Sequence, residues 1–399
     1  MRVTENMRFN TTVNNLFHSQ AQYNDIMEKL ASQKRVNRAS DDPIAATKII
    51  EIRQGQAANE QYRANMSECN AWISATESKL SGAYDLLVKA QELCVGQATA
   101  TANASTRKIA AREVQSIIDE MGNLANAKLG ERYLFSGSRE DPAPFSTTRM
   151  DAEIGSAQAA ADNTFEGIVA SSGAYTGDAN KTYALKITNE GALDTATCQF
   201  SADGGRTWNG ADLSMATGNI ALGDGVTLAF NDGGGAKAFG QNDIFYVNTY
   251  TGGYYRGNNE TLVLTINRGT SVTYNITGAE AFTAAGSKGI DVFEALNALK
   301  DALDNNNTQD ISDQLGNLKE AQNQITMNQS LCGTKANHIE MAQNNLTELD
   351  EKLTALLSSV QDADLPDLAT RLSMKEIALK ASYAMAVKIG DTTILDFLT

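Results

Sequence analysis

Apolar residues occupy positions 339, 342, 346, 349, 353, 356 and 360, a strict alternation of three and four. A 3.5-residue period of that length marks a helix seam, and a seam has to lie against another helix. The same alternation runs through Met66, Cys69, Ile73, Thr76, Leu80, Ala83, Leu87, Ala90 and Cys94. A weaker version occupies Phe9, Val13, Leu16, Gln20, Tyr23, Met27 and Leu30. Three such stripes in one chain predict long helices that pair.

The punctuation of the helices follows. "ASDDPIAA" predicts a start with Ser40 or Asp41 as N-cap and Pro43 near the first helical position. A helix from about Asp42 to about Gly96 is roughly 80 Å long at 1.5 Å per residue. Pro366 breaks the heptad phase after Val360, and "KRVNRASDDP" makes the matching break in the N-terminal arm. Each arm therefore divides into a long inner helix and a shorter outer one. The outer C-terminal stripe resumes at Leu365, Leu368, Leu372, Leu379, Ala386 and Ile389. With Gln20, Lys375 and Ser382 on their stripes, the two outer helices are expected to make a marginal pair. The last residues, "TTILDFLT", crowd Ile394, Leu395, Phe397 and Leu398 together. Chain ends are usually polar, so this one needs a cover from a partner or from its own chain.

Between the arms the composition changes. Residues 137–288 hold 22 of the 31 glycines. They also carry period-2 segments, Thr182–Thr188, Val226–Phe230, Asp243–Tyr250, Thr261–Ile266 and Ser271–Thr277, between Gly, Asn and Asp turns. The expected fold class is α+β: an elongated rod of paired long N- and C-terminal helices with an inserted β-rich distal region. The expected domains are a terminal helical part from 1–42 with 366–399, a rod from 43–136 with 289–365, and the β-rich region 137–288. The last can be divided into 137–150 with 251–288 and an insertion, 151–250.

Charge and motif content exclude several functions. A net charge of −15 leaves no basic surface for nucleic acid or an anionic membrane. No apolar run approaches the roughly 20 residues of a membrane span. "MRVTENMRFN" lacks the apolar core of a cleavable secretory signal. Cys69, Cys94, Cys198 and Cys332 are scattered and are expected to be small buried hydrophobes. His18 and His338 have no metal-ligand spacing around them, so no metal and no cofactor are expected. "SADGGRTW" (Ser201–Trp208) matches the Asp-box pattern of sialidase propellers and of unrelated β domains. It occurs once, and is expected to be a turn in which Asp203 caps backbone N–H groups, Gly204 and Gly205 supply positive φ, and Trp208 packs beneath. "NDGGGAKAF" (Asn231–Phe239) is expected to be a hairpin turn rather than a phosphate or calcium loop. No enzyme is expected. "KRVNR" (Lys34–Arg38) belongs to a segment, 1–39, with six Lys/Arg against three Asp/Glu. Arg35 and Arg38 are expected to form salt bridges between helices or subunits at a hinge.

Three quoted stretches carry a resemblance. The start "MRVTENM" with "ASQKRVNRASDDPIAA", the motif "YLFSGSREDPAPF" (Tyr133–Phe145), and the end "DLATRLSMKEIALKASYAMAVKIGDTTILDFL" stand in this order. Together the arms, about 240 residues, resemble the flagellin superfamily, and within it the branch that forms hook–filament junctions. Residues 150–250 are less diagnostic. The resemblance implies a structural protein exported through the flagellar type III apparatus without a cleaved signal, and placed outside the cell in the flagellum. It implies a self-associated ring on hook-associated protein 1, beneath the first flagellin, and an export chaperone on the C-terminal arm. It also implies that the outer helices order on assembly. The residues expected at subunit interfaces are Phe9, Val13, Leu16, Tyr23, Leu30, Arg35 and Arg38 from the N-terminal arm. Leu368, Leu372, Leu379, Ile389, Leu395, Phe397 and Leu398 are their C-terminal counterparts. Two alternatives stand beside this reading: flagellin itself, and a glycan-binding β domain on a helical rod. "YLFSGS" and the "MRVTENM" start favour the junction branch over flagellin.

Overall fold

The computed structural model describes residues 5–99, 102–139, 143–232, 238–284 and 289–395. Seven helices are present among them: α1 (Glu5–Ser32), α2 (Pro43–Gln97), α3 (Ala104–Ala125), α4 (Gly278–Phe282), α5 (Val292–Asp304), α6 (Thr308–Gln361) and α7 (Leu365–Leu395). The chain forms two compact units, Met1–Ala64 with Ala342–Thr399, and Asn65–Met341. Helices α2 and α6 contribute to both.

In the second unit all nine stripe positions of α2, from Met66 to Cys94, are buried. Helix α6 lies beside this part of α2. Cys94 Sγ donates to the Ile311 carbonyl (2.9 Å), and the Gln322 amide donates to Gln91 Oε1 (2.7 Å). The N-terminal inner arm is interrupted just past the helix end expected near Gly96, and the C-terminal one at 305–307, where continuous helix was expected. Helix α3 starts at a capping box in which Asn103 Oδ1 accepts the Thr106 N–H and Thr106 Oγ1 accepts the Asn103 N–H. It buries Ala110, Ala111, Val114, Ile117, Ile118 and Met121 at helical spacing and packs on α5. Arg107, only 4% exposed, ties the turns together. Its guanidinium donates to the carbonyls of Gln97 and Thr99 and to Asn306 Oδ1. Three acceptors satisfy a charge whose burial would otherwise be costly.

The "YLFSGS" motif is the joint between helices and sheet. Phe135 meets Phe282 edge to face at 5.1 Å, and Phe145 stacks on Phe293 of α5 at 5.3 Å. The Phe135 carbonyl accepts from the Gly278 N–H and the Tyr255 hydroxyl. A Cβ on Gly137, at φ +73°, would come within 2.0 Å of Asn258 Oδ1. Only glycine fits such a place. Strand Phe145–Met150 pairs with Gly253–Tyr255, and Val263–Asn267 with Thr270–Thr273.

Apart from the short pair Lys128–Leu129 and Arg132–Tyr133, the remaining strands make two sheets around one core. Lys181–Asn189 lies between Ile244–Tyr250 and Thr197–Ser201, all antiparallel. Val226–Asn231 lies between Asn219–Gly223 and Ile168–Gly173. Tyr183, Leu185, Ile187, Val226, Leu228 and Phe245 meet in the core between them. Alternate residues point inward along each strand, as period-2 patterning requires. Asp243 anchors one end: its carboxylate accepts the N–H groups of Thr164, Phe165 and Gly240. Of the glycine-rich turn expected at Asn231–Phe239, residues 233–237 lie outside the described residues.

The α+β class and the long helices flanking a β-rich middle are as expected. All four cysteines are free and buried, and burial pushes the thiols up, Cys198 to about 12.

Candidate assembly surface

The first unit contains most of the expected interface residues. Helix α1 packs antiparallel along α7. Val13, Leu16, Tyr23 and Leu30 are half-buried, as is Leu372; Leu368 and Leu379 are buried. Polar residues of the stripes complete the seam. Lys375 Nζ donates to Gln22 Oε1 (2.7 Å), and the Tyr383 hydroxyl to Gln20 Oε1 (3.1 Å). Phe9, Ile389 and Leu395 stand within α1 and α7, but their side chains are outside the described residues, as are Phe397 and Leu398 altogether.

Two stripe positions differ from the heptad expectation. Met27 is 43% exposed, and its neighbour Ile26 is buried instead. Leu365 is 39% exposed. The inner C-terminal stripe differs too. Leu346 is buried, but Leu349 and Leu356 are 40% and 50% exposed. A heptad seam buries both its positions only when the partner covers their full width.

The linkers between outer and inner helices are joined to each other. The Arg35 N–H donates to the Gln361 carbonyl (2.7 Å) and the Ala363 N–H to the Gln33 carbonyl (3.0 Å). Val36, Ala45 and Ile49 form a small core with Leu357 and Val360. The Arg35 guanidinium donates to the Val360 carbonyl (2.8 Å) and the Asp42 carboxylate (3.1 Å). Arg38 reaches both oxygens of Glu28 (2.9 and 3.1 Å). The helix cap is Asp42, one residue beyond the expected pair: its carboxylate accepts the Ala45 N–H. Asp41 instead closes the preceding turn by accepting the N–H groups of Asn37 and Arg38. These backbone donors hold the Asp41 carboxyl below its ordinary value. The Ala45 N–H, followed by the Arg35 guanidinium, does the same for Asp42.

The opposite sides of the outer helices were not singled out by the stripes. On α7, Met374, Ile377 and Met385 are 64%, 67% and 65% exposed, and Tyr383 and Val387 lie open beside them. On α1, Phe17 is 67% exposed. A second apolar row was present in the sequence: 374, 377, 381 and 385 are spaced three, four and four, offset from the Leu368–Leu379 stripe. Helix α7 is thus apolar on several sides while α1 covers one. A helix apolar all round is ordinarily a buried one, and contiguous exposed apolar surface marks an interaction site. The arrangement offers binding area. Among the described residues no cluster of His, Cys, Asp and Glu is placed to hold a metal. No helix of the described residues is long and apolar enough to cross a membrane.

The Asp-box turn has the contacts expected of a turn. Asp203 accepts the Thr207 N–H and hydroxyl, and the Ser201 hydroxyl. Burial opposes ionisation, but these hydrogen bonds prevail and hold the carboxyl at about 2. Gly204 and Gly205 have φ of +73° and +98°, and a Cβ on Gly205 would sit 3.2 Å from the Trp208 ring.

Comparison with known proteins bears on both ends of the chain. Residues 3–140 match the bacterial flagellin N-terminal helical region, and 315–398 the bacterial flagellin C-terminal helical region. The flagellar hook-associated protein 3 of Salmonella typhimurium is 34% identical over 146 residues, 36% of this chain and 46% of that protein. The chain thus spans about half the length of this relative. A flagellin of Clostridium tyrobutyricum is 22% identical over 405 residues, 98% of this chain and 100% of that one. A solved structure of a putative flagellar hook-associated protein from Vibrio parahaemolyticus shares the fold, with a TM-score of 0.51 and 15% identity over 81% of this chain and 100% of that one. The two matched helical regions cover more than half of the 399 residues and stand in the order of the two arms, so the chain belongs to the flagellin family.

Proposed function

We propose that this protein is a structural, non-enzymatic part of the bacterial flagellum: a junction ring that joins hook-associated protein 1 on the hook side to flagellin in the filament. The observation that carries the reading is helix α7, apolar on several sides and covered on one. Neighbouring copies of the chain supply the missing helices. Phe9, Val13, Leu16, Tyr23 and Leu30 with Leu368, Leu372, Leu379, Ile389 and Leu395 form the seam of the terminal helical part, 1–42 with 366–399. Met374, Ile377 and Met385 face the next copy, and Phe397 and Leu398 close the end of the stack. Arg35 and Arg38 hold the linkers at the angle that lets α1 and α7 enter it. The similarity to hook-associated protein 3 supports the junction over the filament. Export through the flagellar type III apparatus, with a chaperone on the C-terminal arm, fits the same placement. Folding completed by association consumes part of the interaction energy, several kcal/mol in coupled systems.

The test is reconstitution. Purified chain is added to hooks carrying hook-associated protein 1, and seated rings are counted by electron microscopy before and after flagellin is supplied. The expected outcome is one short ring per hook and filaments that grow only in its presence. Met374→Asp with Ile377→Asp, or removal of Leu395–Thr399, should leave a folded chain that no longer seats. A chain that polymerises with flagellin along the filament would instead be a filament subunit, the reading that the full-length flagellin alignment favours. Seating by both variants would remove the role given to α7.

A further inference from the structure

The sheet of the second unit has a second face, turned away from the aromatic core, and a polar cleft lies on it. Two adjoining cavities, about 420 and 240 Å³, share Thr182, Asn258 and Glu260. Tyr246 and Asn248 of strand Ile244–Tyr250 also line the cleft, with Gln158 beside them. The segment Ser138–Arg139 and the Asp-box loop close its sides.

The walls are built rather than loose. Asn258 is 4% exposed. Its side chain accepts the Ser138 N–H and donates to the Ser138 hydroxyl, each at 2.9 Å. That hydroxyl donates to Glu260 Oε2 (2.6 Å). The Asp-box loop is pinned to the sheet by the Gly204 N–H on the Thr182 carbonyl (2.8 Å). A Cβ on Gly204 would come within 2.5 Å of Glu260 Oε1, so glycine lets the loop and the carboxylate approach. Bonding capacity is left over inside this frame. Asn248 spends its carbonyl oxygen on the Thr182 hydroxyl. Its amide nitrogen, the Tyr246 hydroxyl, the Gln158 amide and Glu260 Oε1 take no hydrogen-bond partner among the described residues.

We infer that this cleft binds a saccharide, with Glu260 and Asn248 bonding ring hydroxyls and Tyr246 offering its ring to the sugar's C–H face. The charged groups of the lining, Arg139, Lys181 and Arg206 against Asp203 and Glu260, nearly cancel, with Arg206 3.6 Å from Glu260 Oε2; beside neutral amides, hydroxyls and an aromatic ring they suit a polyhydroxylated ligand of low charge. The volume falls near the range of roughly 300–1,000 Å³ usual for small-ligand sites. A nucleic acid would meet Glu260 and a chain of net charge −15. A peptide strand would find no open edge, because strand Ile244–Tyr250 is paired on both sides. The Asp-box thus shapes a wall of the cleft, while its own carboxylate is spent inside the loop.

The test uses the full chain and saturation-transfer NMR with maltotriose, cellotriose, chitotriose and mannotriose. The expected result is transfer to at least one of them with a Kd below about 1 mM. Glu260→Gln keeps the side-chain volume, and Gln158→Ala alters an exposed residue, so both should fold as the parent does by circular dichroism. About tenfold weaker binding in either variant, with Met341→Ala unchanged as the control, supports the site, because one lost bond to a charged group is worth about that much. No transfer to any of the four, or binding unchanged in both variants, overturns it.

Discussion

The Met66–Cys94 seam of α2 and the α1–α7 pair have the same 3.5-residue period and opposite fates. Every position of the first is buried. In the second, Leu368 and Leu379 are buried, Val13 and Leu16 are half-buried, and a further apolar row stands open. Periodicity states that a helix needs neighbours; it does not count them. The α2 seam has them inside its own unit, with α3, α5 and α6 gathered around one core. Among the described residues the outer helices pack on each other.

Core substitution should expose this contrast most strongly. Leu80 is fully buried, so Leu80→Ala is expected to cost about 3 kcal/mol in urea unfolding, within the usual ~2–5 for such deletions. Leu16→Ala, at a half-buried place on α1, should cost under about 1 kcal/mol in the isolated chain. It should weaken ring assembly far more than it weakens the fold. Equal losses at the two positions would mean that α1 is already fully partnered.

A smaller effect separates two helix caps. Asp291 caps α5 by accepting the Glu294 N–H, yet burial dominates and pushes its carboxyl up to about 6. A folded value above the unfolded one makes the ionised group unfavourable to the fold, so stability should rise as pH falls from 7 through 6. Between pH 7 and 5 the gain is on the order of 1 kcal/mol. Asp291→Asn keeps the cap and should abolish that pH dependence. Asp42 behaves in the opposite sense. Its carboxyl is held low, so its contribution is present above the unfolded value of about 3.9 and is lost only as pH falls through the lower folded value. Thermal melts of the wild type and Asp291→Asn across this range decide the matter. Identical profiles would show that burial does not govern Asp291.

The smallest effect on the free chain is expected at the linker. Arg38 and Glu28 are both exposed, and such pairs contribute roughly 0–1 kcal/mol. Arg38→Glu should hardly move the melting temperature but should impair seating on hooks, and Glu28→Arg in the same chain should restore it. Normal seating by Arg38→Glu alone would reduce the pair to surface decoration.

Much of the fold was legible because it is local. Pro43 after Asp42 starts α2, Pro366 begins α7, and Lys181–Asn189 and Ile244–Tyr250 follow period-2 patterning. The end of α2 at Gln97 follows the helix end expected near Gly96, but the start of α3 and the break at 305–307 were not legible. They rest on Arg107 and its distant acceptors and on the Asn103 capping box, which is short beside the long stripes around it. Strands Ile168–Gly173 and Asn219–Gly223 were missed because neither holds a long apolar alternation; pairing with Val226–Asn231 makes them strands.

Of the assembly surface, the stripes themselves were visible, and their phase was not. Ile26 rather than Met27 faces inward, and Met374, Ile377 and Met385 face out. A helix with apolar residues on several sides has several equivalent choices of inner face, and only packing against a specific partner selects one. The sequence alone determined that long helices flank a β-rich region and that one of them starts at Pro43, since each depends on neighbours within a few residues. The tertiary structure decided how many helices meet at each seam, which side of α7 stays open and where a polar cleft forms, because those depend on groups a hundred or more residues apart.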